Sequence, residues 1–173
     1  MFKQYKDFLE KLDVKLQKYF ERDADKIKCQ KGCSLCCSNG DYPLSYLEMR
    51  YLMYGFSLLE KDIHDEVRAN IKKLITTESK KSYVCPFLKE NMCSVYKYRP
   101  IICRVHGLAY RKQNGVVNLP GCADFGLNYS KNYDGEKVDF EPIDEDLSIN
   151  KIVKLEKEIA FSEIRSLIDW FIA

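Results

Sequence analysis

Four cysteines fall within nine residues, in Cys29-Gln30-Lys31-Gly32-Cys33-Ser34-Leu35-Cys36-Cys37, and four more follow at Cys85, Cys93, Cys103 and Cys122. A thiolate is a soft, charged ligand that suits Zn²⁺, Cu⁺ or an iron–sulfur cluster. Packing gives no reason to crowd four thiols together, because cysteine used as core filler has no need to cluster. The spacings are Cys-x3-Cys-x2-Cys-Cys, then Cys-x7-Cys, x9 to Cys103 and x18 to Cys122. A Cys-x2-Cys or Cys-x3-Cys pair lets two side chains reach one metal from a turn. Neighbouring side chains usually diverge, so Cys36 and Cys37 on one mononuclear metal would be strained. Either the pair divides between two sites, or one member is not a ligand, or a polynuclear cluster offers separate attachment points. Eight thiolates divide as two tetrahedral sites, as one four-cysteine cluster plus one zinc, or as four ligands plus four buried thiols.

These residues need elements to position them. Phe2, Tyr5, Phe8, Leu9, Leu12, Leu16, Tyr19 and Phe20 recur at helical spacing and predict an N-terminal helix over 2–21. Ser38 to Pro43 is turn chemistry. Ser45-Tyr46-Leu47-Glu48 reads as a capping box with Leu44 and Met49 as its staple, opening a helix that ends near Gly55. Ser57 to Glu60 reads as a second capping box. It opens a helix through Leu59, Ile63, Val67, Ile71 and Leu74 to about Thr77, with His64 on its solvated side. After the polar linker Thr76 to Ser82 the pattern turns to short elements. A turn is expected at Lys89-Glu90-Asn91, and Arg99-Pro100 breaks any helix there. Asn114-Gly115 predicts a β-hairpin with arms in Leu108 to Lys112 and Val116 to Leu119, returning Cys122 toward Cys103. Residues 123–143 read as an irregular crossing. Val153, Ala160, Ile164, Leu167 and Phe171 mark a C-terminal helix over about 147–172, with Trp170 in a core or an interface.

The expected fold is therefore mainly α. It is a small helical domain, one unit over 1–173, with an irregular cysteine-rich metal-binding middle region over about 29–122 and a short β-hairpin. The chain has 28 basic and 26 acidic side chains, which gives no case for nucleic acid as a partner. Residues 134–173 hold 5 basic and 11 acidic side chains, read as a solvated face. There is no run of about 18 apolar residues to span a membrane and no signal-peptide core. A cytoplasmic location follows as the expectation, and reducing conditions there favour metal binding over disulfides.

The order Cys29, Cys33, Cys36-Cys37, then Cys85-Pro86-Phe87-Leu88, Cys93-Ser94-Val95-Tyr96 and Tyr98-Arg99-Pro100-Ile101-Ile102-Cys103-Arg104 resembles the CxxCxxCC, or YkgJ-type, family of zinc- or iron-chelating cysteine-cluster proteins. The resemblance covers roughly 29–107, with Cys122 a further candidate ligand. The first spacing departs from the pattern, being x3 where the family has x2. The resemblance implies a cysteine-bound metal or iron–sulfur cluster. Some relatives are similar to flagellin lysine N-methylases, so a protein lysine N-methylase-like enzyme is one expectation. The glycine-rich strand–turn–helix of the usual methyl-donor fold is missing, however, and the chain has only 8 glycines.

The reading favoured by the residues is a centre ligated from Cys29, Cys33, Cys36, Cys37, Cys85, Cys93, Cys103 and Cys122. A [4Fe–4S] iron–sulfur cluster is preferred to Zn²⁺ because the set is rich in thiols and poor in histidine. Redox or electron transfer with a protein partner, or a cluster-dependent modification reaction, would be its work. The alternative is a structural zinc site in an interaction module without catalysis. Arg99 and Arg104 flank Cys103 and are candidates to donate hydrogen bonds to ligating sulfurs or, equally, to pair with carboxylates in the core. His106 reads as a satisfied turn residue, and Tyr96 and Tyr98 as packing. No cysteine is marked as a nucleophile by a paired base.

Overall fold

The structure, a computed structural model, describes residues 2–30, 32–76, 82–112, 114–134, 137–144 and 164–172. It is mainly α with short antiparallel strand pairs. The helices are α1 (Lys3–Arg22), α2 (Leu35–Ser38), α3 (Tyr46–Ser57), α4 (Lys61–Thr76), α5 (Ile101–Val105) and α6 (Leu167–Ile172). The strands are β1 (Pro43–Ser45), β2 (Leu88–Lys89), β3 (Met92–Cys93), β4 (Tyr110–Arg111), β5 (Val117–Asn118) and β6 (Ile164–Ser166). Among the described residues, no helix is long and apolar enough to cross a membrane.

Helix α1 forms where the apolar spacing predicts it. Tyr5, Phe8, Leu9, Leu12 and Leu16 are all buried, and burying each side chain is worth roughly 1.5–3 kcal/mol. They pack with Leu47 and Tyr51 of α3, and with Leu108 and Ile143. Met49, Leu52 and Phe56 of α3 enter a second core with Val67 and Leu74 of α4, Phe87, Val95, Leu167 and Ile168. Helix α3 thus lies between the two cores, and Cys85, Cys93 and Cys103 pack against the second.

The capping box at Ser45 and Glu48 is present, with the Ser45 N–H donating to Glu48 Oε2 at 2.8 Å. Gly55 does not end α3, as expected, but lies buried within it. A Cβ at this position would fall on the Tyr98 ring, so glycine serves close packing here. The second capping box does not form. Ser57 is still inside α3, and its hydroxyl donates back to the Tyr54 carbonyl at 2.8 Å. Helix α4 begins at Lys61, its first bond running from the His64 N–H to the Glu60 carbonyl. The His64 ring stacks on Phe56 at 4.2 Å.

The hairpin at Asn114-Gly115 forms, with Tyr110 opposite Asn118 and Arg111 opposite Val117. At the expected turn around Glu90 and Asn91 the structure makes a second hairpin. Leu88 faces Cys93, and both loop residues take positive φ, 48° and 61°, as a two-residue I′ turn requires. The expected C-terminal helix needs correction where it is described. Ile164–Ser166 is extended and pairs antiparallel with Pro43–Ser45. Helix begins only at Leu167, and Val153 and Ala160 lie outside the described residues. The strand wins because its pairing delivers Leu167 and Ile168 to the second core. Trp170 donates from Nε1 to the Leu44 carbonyl at 2.9 Å.

Candidate metal centre

All eight cysteines are free thiols. The 29–37 segment leaves α1 through a turn, and Asp23, buried at its start, accepts from Tyr129 Oη at 2.7 Å and from Arg22 at 2.8 Å. Cys29 follows outside any helix or strand. Its N–H donates to Asn128 Oδ1 at 3.1 Å, and Asn128 Nδ2 donates to its Sγ at 3.1 Å. Gly32, at φ 91°, makes the turn that carries Cys33, whose N–H donates to the Gln30 carbonyl at 2.9 Å.

Cys36 and Cys37 lie on the single turn of α2. Their sulfurs are 3.9 Å apart, so the divergence expected of neighbouring side chains does not occur. Two thiolates on one tetrahedral zinc, each about 2.3 Å from it, would stand about 3.8 Å apart. The Cys37 carbonyl accepts the Cys85 N–H at 2.7 Å, and the Ser34 hydroxyl donates to Asn91 Oδ1 at 2.9 Å. The cluster segment is therefore tied to the β2–β3 hairpin, which carries Cys93. Cys103 sits on α5, started by Pro100 as its N-cap. Glu48 Oε1 accepts the Ile101 N–H at 3.0 Å and fixes this helix to the head of α3. Cys122 is buried in the 3-10 turn Gly121–Phe125.

Electrostatics sorts the sulfurs into two adjoining groups. Burial pushes the Cys85 thiol up to about 12, with the charges of Cys93 and Cys36 adding to it. Burial raises Cys103 further, with Cys85, Cys93 and Cys36 contributing, and Cys93 is raised by burial and by Cys36. The second group is Cys29, Cys33 and Cys122. Burial takes Cys29 up to about 11, with Cys122, Cys33 and Cys36 contributing, and Cys122 is raised by burial, Cys33 and Cys36. Cys36 faces both groups and is raised chiefly by its hydrogen bond with Cys37. Mutual repulsion of this kind is what a bound cation reverses.

Opposing these rises are N–H groups aimed at sulfur. The backbone N–H of Phe87 favours the Cys85 thiolate, that of Val95 the Cys93 thiolate, and that of Asn128 the Cys122 thiolate, while the Leu88 N–H donates to the Cys85 carbonyl at 3.0 Å. Such donors stabilise and orient metal-bound thiolates. The donor set therefore fits a thiophilic metal or cluster. Among the described residues, no three His, Cys, Asp or Glu side chains are already gathered tightly enough to enclose one ion. The electrostatic coupling reaches further than a coordination bond, so the two observations are compatible.

A cavity of about 360 Å³ lies beside the pair, lined among others by Leu35, Cys36, Tyr42, Ile102, His106 and Cys122. It is bordered by Cys122 of the second group and by Cys36, which faces both. Burial lowers the His106 pKa, which keeps the imidazole neutral. Tyr42 Oη is buried with no hydrogen-bond partner among the described residues. Burial raises its pKa, with Cys37 and Cys36 adding to the effect.

The two arginines expected near Cys103 differ. Arg99 lies over the Tyr96 ring at 3.7 Å, its buried Nε has no partner among the described residues, and its charge lowers the pKa of Cys93 and Cys103. Arg104 is directed away from sulfur. It pairs with Asp13 of α1 at 2.5 Å and donates to the carbonyls of Lys97 and Arg99, so it braces α5 against α1.

Asn128 was not visible as a site residue in the sequence, where it is one of several asparagines in an irregular stretch. Tyr42 and Gly107 were likewise unmarked. The comparison with curated proteins returned no match, nor did that with solved structures. One family model matches more than half of the chain, over residues 28–123, and by it the chain belongs to the CxxCxxCC family, described as a putative zinc- or iron-chelating domain.

Proposed function

We propose that the chain carries a [4Fe–4S] cluster on Cys36, Cys85, Cys93 and Cys103, beside a second thiolate site from Cys29, Cys33 and Cys122, with Cys37 at the seam. The observation that carries this reading is the packing of Cys85, Cys93 and Cys103 against one core, with the Cys85 N–H donating to the Cys37 carbonyl next to Cys36. The sulfurs around a cubane occupy a much larger tetrahedron than those around one ion, so thiols drawn from separate segments can each reach a different iron.

The cluster supplies one-electron chemistry when bound, and a protein redox partner would exchange that electron. The chain's own residues set the conditions. Cys85 and Cys103, half-buried against the second core, are partly shielded from water. The Arg99 guanidinium and the amides of Phe87 and Val95 place positive charge and dipoles near the thiolates, which favours the reduced, more negative state.

One observation favours a second reading. The 3.9 Å separation of the Cys36 and Cys37 sulfurs suits a single tetrahedral zinc, which would make the region a structural module. Two variants separate the readings. In the cluster reading Cys103→Ser abolishes the visible absorption of anaerobically purified protein, while Cys37→Ser keeps it. Retention of native iron and sulfide by Cys103→Ser would remove the assignment.

A further inference from the structure

Asn128 lies beyond the end of the family segment, and it is fully buried. An asparagine amide has two acceptor positions and two donors, and all four are in use. Oδ1 accepts the N–H groups of Lys28 at 2.8 Å and Cys29 at 3.1 Å. Nδ2 donates to the Gly107 carbonyl at 2.8 Å and to Cys29 Sγ at 3.1 Å. Two backbone N–H groups demand an oxygen on one side, so the NH₂ group must face the sulfur. Gly107 leaves room for the arrangement. It sits at φ 97°, and a Cβ there would lie 3.1 Å from Asn128 Nδ2 and 3.4 Å from Cys29 Sγ.

A purely structural bridge between residues 28–29 and residue 107 would be complete with the three bonds to backbone. The fourth, an N–H donated to sulfur, strengthens as negative charge builds on that sulfur. It acts on the cysteine whose spacing departs from the family pattern, since Cys29 stands one residue further from Cys33 than CxxCxxCC prescribes.

We infer that Asn128 is a positioning residue for the metal centre, holding Cys29 through its side-chain N–H as a thiolate ligand. The inference rests on the proposal that these thiols hold metal.

The test uses cadmium, a thiophilic ion with a spin-active isotope, bound to the full chain under anaerobic reducing conditions. Scalar coupling from cadmium to the Cys29 Hβ protons, and across the N–H···S bond to the Asn128 side-chain N–H protons, is the expected result. Asn128→Asp keeps an oxygen for the Lys28 and Cys29 amides but sets a second oxygen against the sulfur. It should weaken cadmium binding about 10–100-fold, the usual effect of losing such a partner. It should add little on a Cys29→Ser background.

Coupling to Cys29 without coupling to Asn128 overturns the inference with no variant needed, and so does cadmium bound without coupling to Cys29. Both results leave the Cys85, Cys93 and Cys103 group untouched. Failure of the native chain to bind cadmium at all instead overturns the proposed function.

Discussion

Replacing Glu48 by glutamine should unsettle two parts of the molecule at once. Glu48 is buried, and each carboxylate oxygen accepts one backbone N–H: Ser45 at 2.8 Å and Ile101 at 3.0 Å. The first bond closes the head of α3. The second anchors the helix that carries Cys103. Glutamine offers one acceptor oxygen, so either Ser45 or Ile101 must face an NH₂ group. A hydrogen bond to a charged group contributes about 1.5–3 kcal/mol, and a buried donor left facing a donor takes the loss to the upper end. A loss of roughly 3 kcal/mol corresponds to a fall of roughly 6–12 °C in Tm for a chain of this size. Urea denaturation of the metal-free protein, with the m-value checked for constancy, measures it. Ser45→Ala is the control. It removes only a long 3.4 Å bond from the Glu48 N–H, so a loss at the low end of cap substitutions, about 0.5–1 kcal/mol, is expected. If Glu48→Gln costs under about 0.5 kcal/mol, the range of ordinary surface changes, the carboxylate does not hold these elements and the reasoning is wrong.

Gly55→Ala should destabilise the protein by about 1–3 kcal/mol through overpacking, although alanine is normally the better helix residue; its Cβ would meet the Tyr98 ring. A rise in Tm would show that Tyr98 can move aside. Asp23 gives a pH dependence. Burial raises its pKa, but hydrogen bonds from Arg22 and Tyr129 outweigh this and leave it lowered. Its contribution is therefore present above the unfolded value of about 3.9 and is lost as pH falls through the folded value. Tyr129→Phe should shrink that acid-side loss and cost about 1.5–3 kcal/mol at neutral pH; an unchanged slope of stability against pH below about pH 4 would contradict the assignment.

The parts of this fold that follow local rules were legible in the sequence. The stripe from Tyr5 to Leu16 has helical spacing and is buried as a stripe. Ser45 and Glu48 satisfy one another across one turn, and Asn114-Gly115 closes a hairpin. The readings that failed were decided by contacts that spacing does not reveal. Glycine commonly follows helices, but Tyr98 requires Gly55 inside one. Ser57 had the spacing of a cap, yet its hydroxyl found the Tyr54 carbonyl behind it. Ile164 fits a helical pattern, but pairing with Ser45 makes it strand. The same division holds at the site. The order of the cysteines announces thiolate chemistry, because ligands from turns have characteristic spacings. Asn128 has no such pattern, since it reaches Cys29 only after the intervening chain has folded. Nor does sequence reveal that the Cys36 and Cys37 sulfurs turn toward each other, which depends on the one-turn helix that holds them.

The central claim is that this chain binds an iron–sulfur cluster through its cysteine thiolates. Metal and acid-labile sulfide analysis of anaerobically purified protein tests it most directly. The account predicts about four irons and four sulfides per chain, the content of a four-cysteine cubane, with any zinc additional to them. Zinc without sulfide would contradict the cluster and leave the structural module, and protein free of both metals would contradict the account as a whole.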